Sequence, residues 1–111
     1  MTRVGAHAYL MAYVHIAHNC QVGPHVVMAN LASLAGHVEI GNGAILSTMI
    51  GVHQFTRIGR MAMVSAGSMI GKDIPPFCVA QGDRAHLRGL NLIGLKRAGF
   101  TPAAIRELTC S

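Results

Sequence analysis

An aliphatic residue or methionine stands at every sixth position from Val4: Val4, Leu10, Ile16, Val22, Met28, Leu34, Ile40, Leu46, Val52, Ile58, Val64 and Ile70. The next residue is small in ten of the twelve cases, Met11 and His53 being the exceptions. A period of six fits neither the 3.6-residue helix nor two-residue strand alternation. It fits a coil of short strands that bend at corners where small residues stand, the hexapeptide form of the parallel β-helix. Three hexads close one triangular coil of about 18 residues, so the twelve hexads predict four coils stacked about 4.8 Å apart. The aliphatic residue of each hexad is expected to point inward and rest on its equivalents above and below. Residues 1–74 are thus expected to form one all-β solenoid.

The period fades after Ile70. "DIPPFCVAQGD" carries two prolines, and residues 75–90 are expected to leave the coil as an extended loop. "NLIGLKRAG" predicts a short helix with Leu92, Leu95 and Ile93 on its apolar face and Gly99 as its stop. "TPAAIREL" predicts the start of a second helix, with Thr101 as N-cap and Pro102 at its first position. Residues 91–111 are therefore expected to begin a helical domain. Both chain ends are expected to be cut, since an open coil end leaves unpaired edges and an uncapped core.

Composition narrows the function classes. The chain has 111 residues, 51% hydrophobic but only 5% aromatic, so its core must be aliphatic. The net charge of +5 raises the question of nucleic acid. Its bases do not form runs: Arg3, Arg57 and Arg60 are scattered, and only Arg84, Arg88, Lys96 and Arg97 are loosely grouped. No nucleic-acid partner is expected. Cys20, Cys78 and Cys110 are an odd number without a Cys-x-x-Cys pair, which suggests neither a disulfide framework nor a zinc knuckle. No signal peptide or membrane-length apolar run is present, so a reduced, cytoplasmic protein is expected.

Folding the sequence onto an 18-residue coil gathers residues that are far apart along the chain. His18, Gly36 and Gln54 share one column, and Asn19, His37 and Phe55 the next. His15 lies three residues before His18, and His53 joins them two coils up. Five residues, His15, His18, His37, His53 and Gln54, are thus expected around one corner. His7 and His25 stack at another corner, where they are read with His86 as ordinary surface residues. Clustered histidines can bind zinc, but no two here are five apart and no carboxylate is expected at this corner. The other chemistry is a histidine general base beside backbone donors. Gly36 above His18 would let a substrate oxygen approach its amide, as an oxyanion donor needs.

"HIAHNC", "ANLASLAGHVEIG", "VHQFTRIG", "DIPPFCVAQGDRA" and "NLIGLKRAGF" closely resemble the UDP-N-acetylglucosamine acyltransferases of lipid A biosynthesis, over essentially the whole chain. The resemblance implies a left-handed β-helix, a homotrimer and a C-terminal helical domain. It implies transfer of a 3-hydroxyacyl chain from acyl carrier protein to the 3-hydroxyl of UDP-N-acetylglucosamine, with no metal and no cofactor. On it, His18 is the general base and Gly36 supplies the oxyanion amide. His15, His37, His53 and Gln54 line the substrate cleft, Asn91 and Arg97 contact the nucleotide, and Ala66 sets acyl length. The sequence departs from the family pattern at Asn19, where the family usually has Asp to orient the base. It also departs at Arg84, Ile93 and Ala98, and Met1 aligns inside the family's β-helix. These departures leave a second expectation open, an inactive β-helical module that only assembles. A third, a sister acyltransferase with an amine acceptor, is opposed by "NLIGLKRAGF".

Overall fold

The computed structural model describes residues 2–82, 86–91, 95, 99 and 101–102. Twelve two-residue strands, β1 to β12, recur every six residues: Arg3–Val4, Tyr9–Leu10, His15–Ile16, Gln21–Val22, Val27–Met28, Ser33–Leu34, Glu39–Ile40, Ile45–Leu46, Gly51–Val52, Arg57–Ile58, Met63–Val64 and Met69–Ile70. They sort into three parallel sheets, β1-β4-β7-β10, β2-β5-β8-β11 and β3-β6-β9-β12. Partners are offset by one full coil: Arg3 pairs with Gln21, Gln21 with Glu39, and Glu39 with Arg57. The solenoid is a left-handed parallel β-helix of about four coils, as expected.

Two inward positions per hexad build the core. Nine of the twelve aliphatic positions, from Val22 to Ile70, are buried. The position two residues earlier is buried as well: Cys20, Val26, Ala32, Val38, Ala44, Ile50, Thr56, Ala62 and Ser68. The aliphatic side chain fills the middle of each side, and the smaller one fills the space beside the corner. The first coil differs: Val4 is 46% and Leu10 39% exposed, because no described coil covers them from below.

The corners are tight turns, several of them closed by a backbone hydrogen bond across three residues, as from Ala44 N–H to Gly41 C=O (3.3 Å). The second central residue has positive φ at all eleven corners from His7 to Gly67. Only Gly43 and Gly67 among them are glycines; Asn19 (φ 58°), His37 (59°) and Phe55 (61°) adopt the left-handed conformation with side chains. That conformation is unfavourable by about 1–2 kcal/mol for most L-residues, so stacking between coils must hold it.

The corner between the first and second sheets has glycine after every strand, at Gly5, Gly23, Gly41 and Gly59. A Cβ on Gly41 would meet the backbone nitrogen of Arg60 and come within 2.7 Å of its Cα. Backbone cannot step aside as a flexible side chain can. Gly41→Ala should therefore destabilise the fold by about 1–3 kcal/mol, seen as a lower midpoint in urea with an unchanged slope. An unaltered midpoint would show that the corner is looser than this.

Beyond Ile70 the coil continues, where an extended loop was expected. Ile74 bridges Ile58 on the first sheet. A strand β13, Cys78–Gln81, then joins the second sheet beside β11, pairing Met63 with Val79 and Val64 with Ala80. The offset has dropped from 18 residues to 16. The two missing residues move the inward positions from 76 and 82 to Ile74 and Ala80, so the period fades although the coil does not stop. Strand β14, His86–Leu90, folds back antiparallel on β13. The two expected helices fall largely outside the described residues. Leu95 is fully buried with Phe77, against Met61 and Leu90, and its N–H donates to the Asn91 carbonyl (3.0 Å). The cysteine reading also needs correction: Cys20 is a free, buried thiol, but Cys78 is disulfide-bonded.

Candidate active site

The 18-residue register assembles the expected cluster where the third sheet turns into the first. His15 is the outward residue of β3, and His18 and Asn19 form the corner that follows. Gly36 and His37 form the corner one coil up, and His53, Gln54 and Phe55 the corner above that. His37 N–H donates to the His18 carbonyl (3.1 Å) and Phe55 N–H to the Gly36 carbonyl (3.2 Å), which locks the three corners in register.

The His18 ring lies directly against Gly36. A Cβ on Gly36 would sit 2.8 Å from its Cε1, 2.9 Å from Nε2 and 3.4 Å from Nδ1. The absent side chain is thus what admits the imidazole, and the Nε2–Cε1 edge is the one turned to this glycine. Gly36 is buried beneath the imidazole yet lines the neighbouring groove, and its N–H donates to no other group among the described residues. A ring nitrogen and an amide, neither hydrogen-bonded among the described residues, therefore stand close together, able to take a proton and to receive developing negative charge.

An aromatic stack backs the base. His18 meets His37 edge to face, with ring centroids 5.2 Å apart and planes at 88°. His37 stacks on Phe55 at 4.8 Å with planes at 10°. Phe55 shares the His37 column but was given no role from the sequence.

Beside this corner the third sheet carries a groove of about 490 Å³, lined by His15, Ser33, Gly36, Gly51, His53 and Gln54, with Met69 at one end. Small outward side chains at Ser33 and Gly51 keep it open. His18 and His37 stand on the corner next to the groove, not in its lining. Another groove, of about 570 Å³, follows the first sheet past Arg3, Gln21, Glu39 and Arg57 and holds no histidine. Its Arg57–Glu39 ion pair (3.1 Å) is solvent-exposed and contributes little stability.

Other expected residues stand apart. Asn91 is buried, and its side-chain amide donates to the Met61 carbonyl (2.9 Å), at the corner between the first and second sheets. Ala66 is exposed on the corner after β11, across the third sheet from His18. Neither touches the histidine cluster within one chain. Arg97, like Arg84, Ile93 and Ala98, lies outside the described residues. One carboxylate does reach the cluster's corner: Asp73 Oδ1 accepts the Arg57 N–H (2.9 Å), where the sequence suggested none. Among the described residues no three His, Cys, Asp or Glu side chains are arranged to hold a metal ion. No helix there is long and apolar enough to cross a membrane.

The chain as a whole is similar to known proteins. The family described as "Udp N-acetylglucosamine O-acyltransferase; Domain 2" matches residues 73–110, and that described as bacterial transferase hexapeptide (six repeats) matches residues 1–34. The chain is 48% identical, over 97% of its length, to the acyl-[acyl-carrier-protein]–UDP-N-acetylglucosamine O-acyltransferase of Gloeothece citriformis, and covers 39% of that protein. It is 50% identical, over the same share, to the protein of that name from Burkholderia mallei, covering 41% of it. The crystal structure of the Moraxella catarrhalis UDP-N-acetylglucosamine O-acyltransferase superposes with a TM-score of 0.93 at 43% identity, over 96% of this chain and 41% of that one. The chain thus spans about two fifths of the length of the curated relatives it matches.

Proposed function

The chain belongs to the UDP-N-acetylglucosamine O-acyltransferase family of hexapeptide-repeat proteins, and on that premise we propose that it transfers a 3-hydroxyacyl group from acyl carrier protein to the 3-hydroxyl of UDP-N-acetylglucosamine, the first step of lipid A biosynthesis. The observation that carries this reading is the contact between the His18 imidazole and Gly36, which sets a proton acceptor near a backbone N–H that donates to no group among the described residues.

In the proposed reaction, His18 Nε2 takes the proton of the sugar hydroxyl as its oxygen attacks the thioester carbonyl. The carbonyl π-pair moves to oxygen, and Gly36 N–H receives the resulting oxyanion. Collapse breaks the carbon–sulfur bond, and imidazolium returns its proton to the departing carrier thiolate. His15, His53 and Gln54, which line the groove beside Gly36, hold substrate. Asn91 and Arg97 serve the nucleotide and Ala66 the acyl terminus. Asn91 and Ala66 lie on other corners of the chain, so one catalytic site draws them from neighbouring subunits of a homotrimer. Light scattering on the purified chain tests that assembly; a monomer that transfers acyl groups would refute it.

Asn19 supports a second reading, an assembly module with little or no activity. It occupies the corner at φ 58°, a conformation in which Asn and Asp are both enriched. Asn19→Asp therefore changes charge while keeping the turn. An acyl-transfer assay on the purified chain and on Asn19→Asp separates the readings. Under the first, the carboxylate next to the base stabilises imidazolium and raises kcat about tenfold or more. No transfer by either protein would support the assembly module instead.

A further inference from the structure

Phe55 is 67% exposed, large and apolar, on the corner that carries the candidate base. An exposed aromatic normally keeps its rotamers free. This one instead lies flat on His37, centroids 4.8 Å apart and planes within 10°. His37 in turn meets His18 edge to face at 5.2 Å. The backbone leaves little slack: all three corners are tied together by the His37-to-His18 and Phe55-to-Gly36 hydrogen bonds. The His37 ring, half-buried, is thus held on one face by Phe55 while it presents itself to His18.

We propose that Phe55 is a positioning residue for catalysis, clamping His37 so that His37 fixes the orientation of the His18 imidazole. The inference rests on His18 acting as the base. His18 itself is exposed; its ring lies against Gly36 and meets the His37 ring edge to face. A ring free to swing would spend part of its time with Nε2 turned away from the sugar hydroxyl. Proton transfer depends steeply on that alignment, and misplacement by about 1 Å can cost on the order of 100-fold. Aromatic pairs of this kind are individually weak, so the expected effect of removing one is about three- to tenfold in rate, not abolition.

The test compares Phe55→Leu with Phe55→Tyr. Leucine keeps bulk but loses the flat ring; tyrosine keeps the ring. Phe55→Leu should lower kcat about three- to tenfold with KM unchanged, and Phe55→Tyr should retain the parental kcat. Independently of turnover, histidine ring carbon–proton NMR spectra should show the His18 and His37 signals displaced in Phe55→Leu and restored in Phe55→Tyr. A displaced His37 signal with an unmoved His18 signal would overturn the proposal. So would a raised KM with kcat intact, which would make Phe55 a substrate contact. If the parent chain transfers no acyl group, the acyltransferase reading fails on its own, and the NMR comparison still decides whether Phe55 orients His18.

Discussion

His18→Ala should reduce acyl transfer by about 10²- to 10⁴-fold, the usual contribution of a positioned general base. Other histidines are near, so the residual rate is informative. His15 and His53 line the groove, but neither is placed against the Gly36 amide as His18 is. Substituting either with alanine should mainly raise KM. The fold should survive the loss of His18, because its contribution to the register is a backbone carbonyl accepting from His37 N–H, which alanine retains. Circular dichroism and the unfolding midpoint check this. Full activity in a folded His18→Ala protein would remove the base assignment, and with it the observation on which the proposed reaction stands.

Gly36→Ala is the second large effect, expected at about 100-fold or more in kcat. Alanine should be acceptable to the backbone here, since Gly36 is not among the residues of positive φ. The conflict is with a side chain: the new methyl would stand 2.8 Å from His18 Cε1 and 2.9 Å from Nε2. The imidazole must rotate away, which misplaces the base and shields the amide at once. A double-mutant cycle separates this from general damage. In the His18→Ala background the methyl has room, so the destabilisation caused by Gly36→Ala should largely disappear. If Gly36→Ala destabilises both backgrounds equally, the two residues are not in contact, and the site must be rebuilt around another amide.

Much of the fold was legible because a solenoid is close to one-dimensional. Each coil contacts only its neighbours, so a period in sequence becomes a register in space with no further information. That is why spacing alone sets Gly36 over His18, and His37 beside Phe55. The second inward position was also readable, as a run of small or aliphatic residues from Cys20 to Ser68, but its mixture of alanine, cysteine, serine and threonine hides it beside the stronger aliphatic signal. The two-residue slip after Ile70 was not readable. Pro76 and Gly82 fall where the period demands aliphatic residues, and the pairings of Ile58 with Ile74 and Met63 with Val79 reveal that the coil has been shortened. That slip also sets Asp73 opposite Arg57, whose N–H it accepts, where an 18-residue offset would have set it over Phe55.

The sequence by itself determined the coil, its 18-residue register, the inward aliphatic residues and which residues share a corner, because each follows from a fixed spacing. The tertiary structure decided what spacing cannot encode. It turned the His18 ring onto Gly36, laid Phe55 flat on His37, and put His18 at the edge of the groove that His15 and His53 line. It also left Asn91 and Ala66 on other corners of the same chain. Ring orientations depend on the packing of neighbouring coils against one another, and distances between corners depend on the width of a sheet. Neither quantity is carried by the period of a single strand of text.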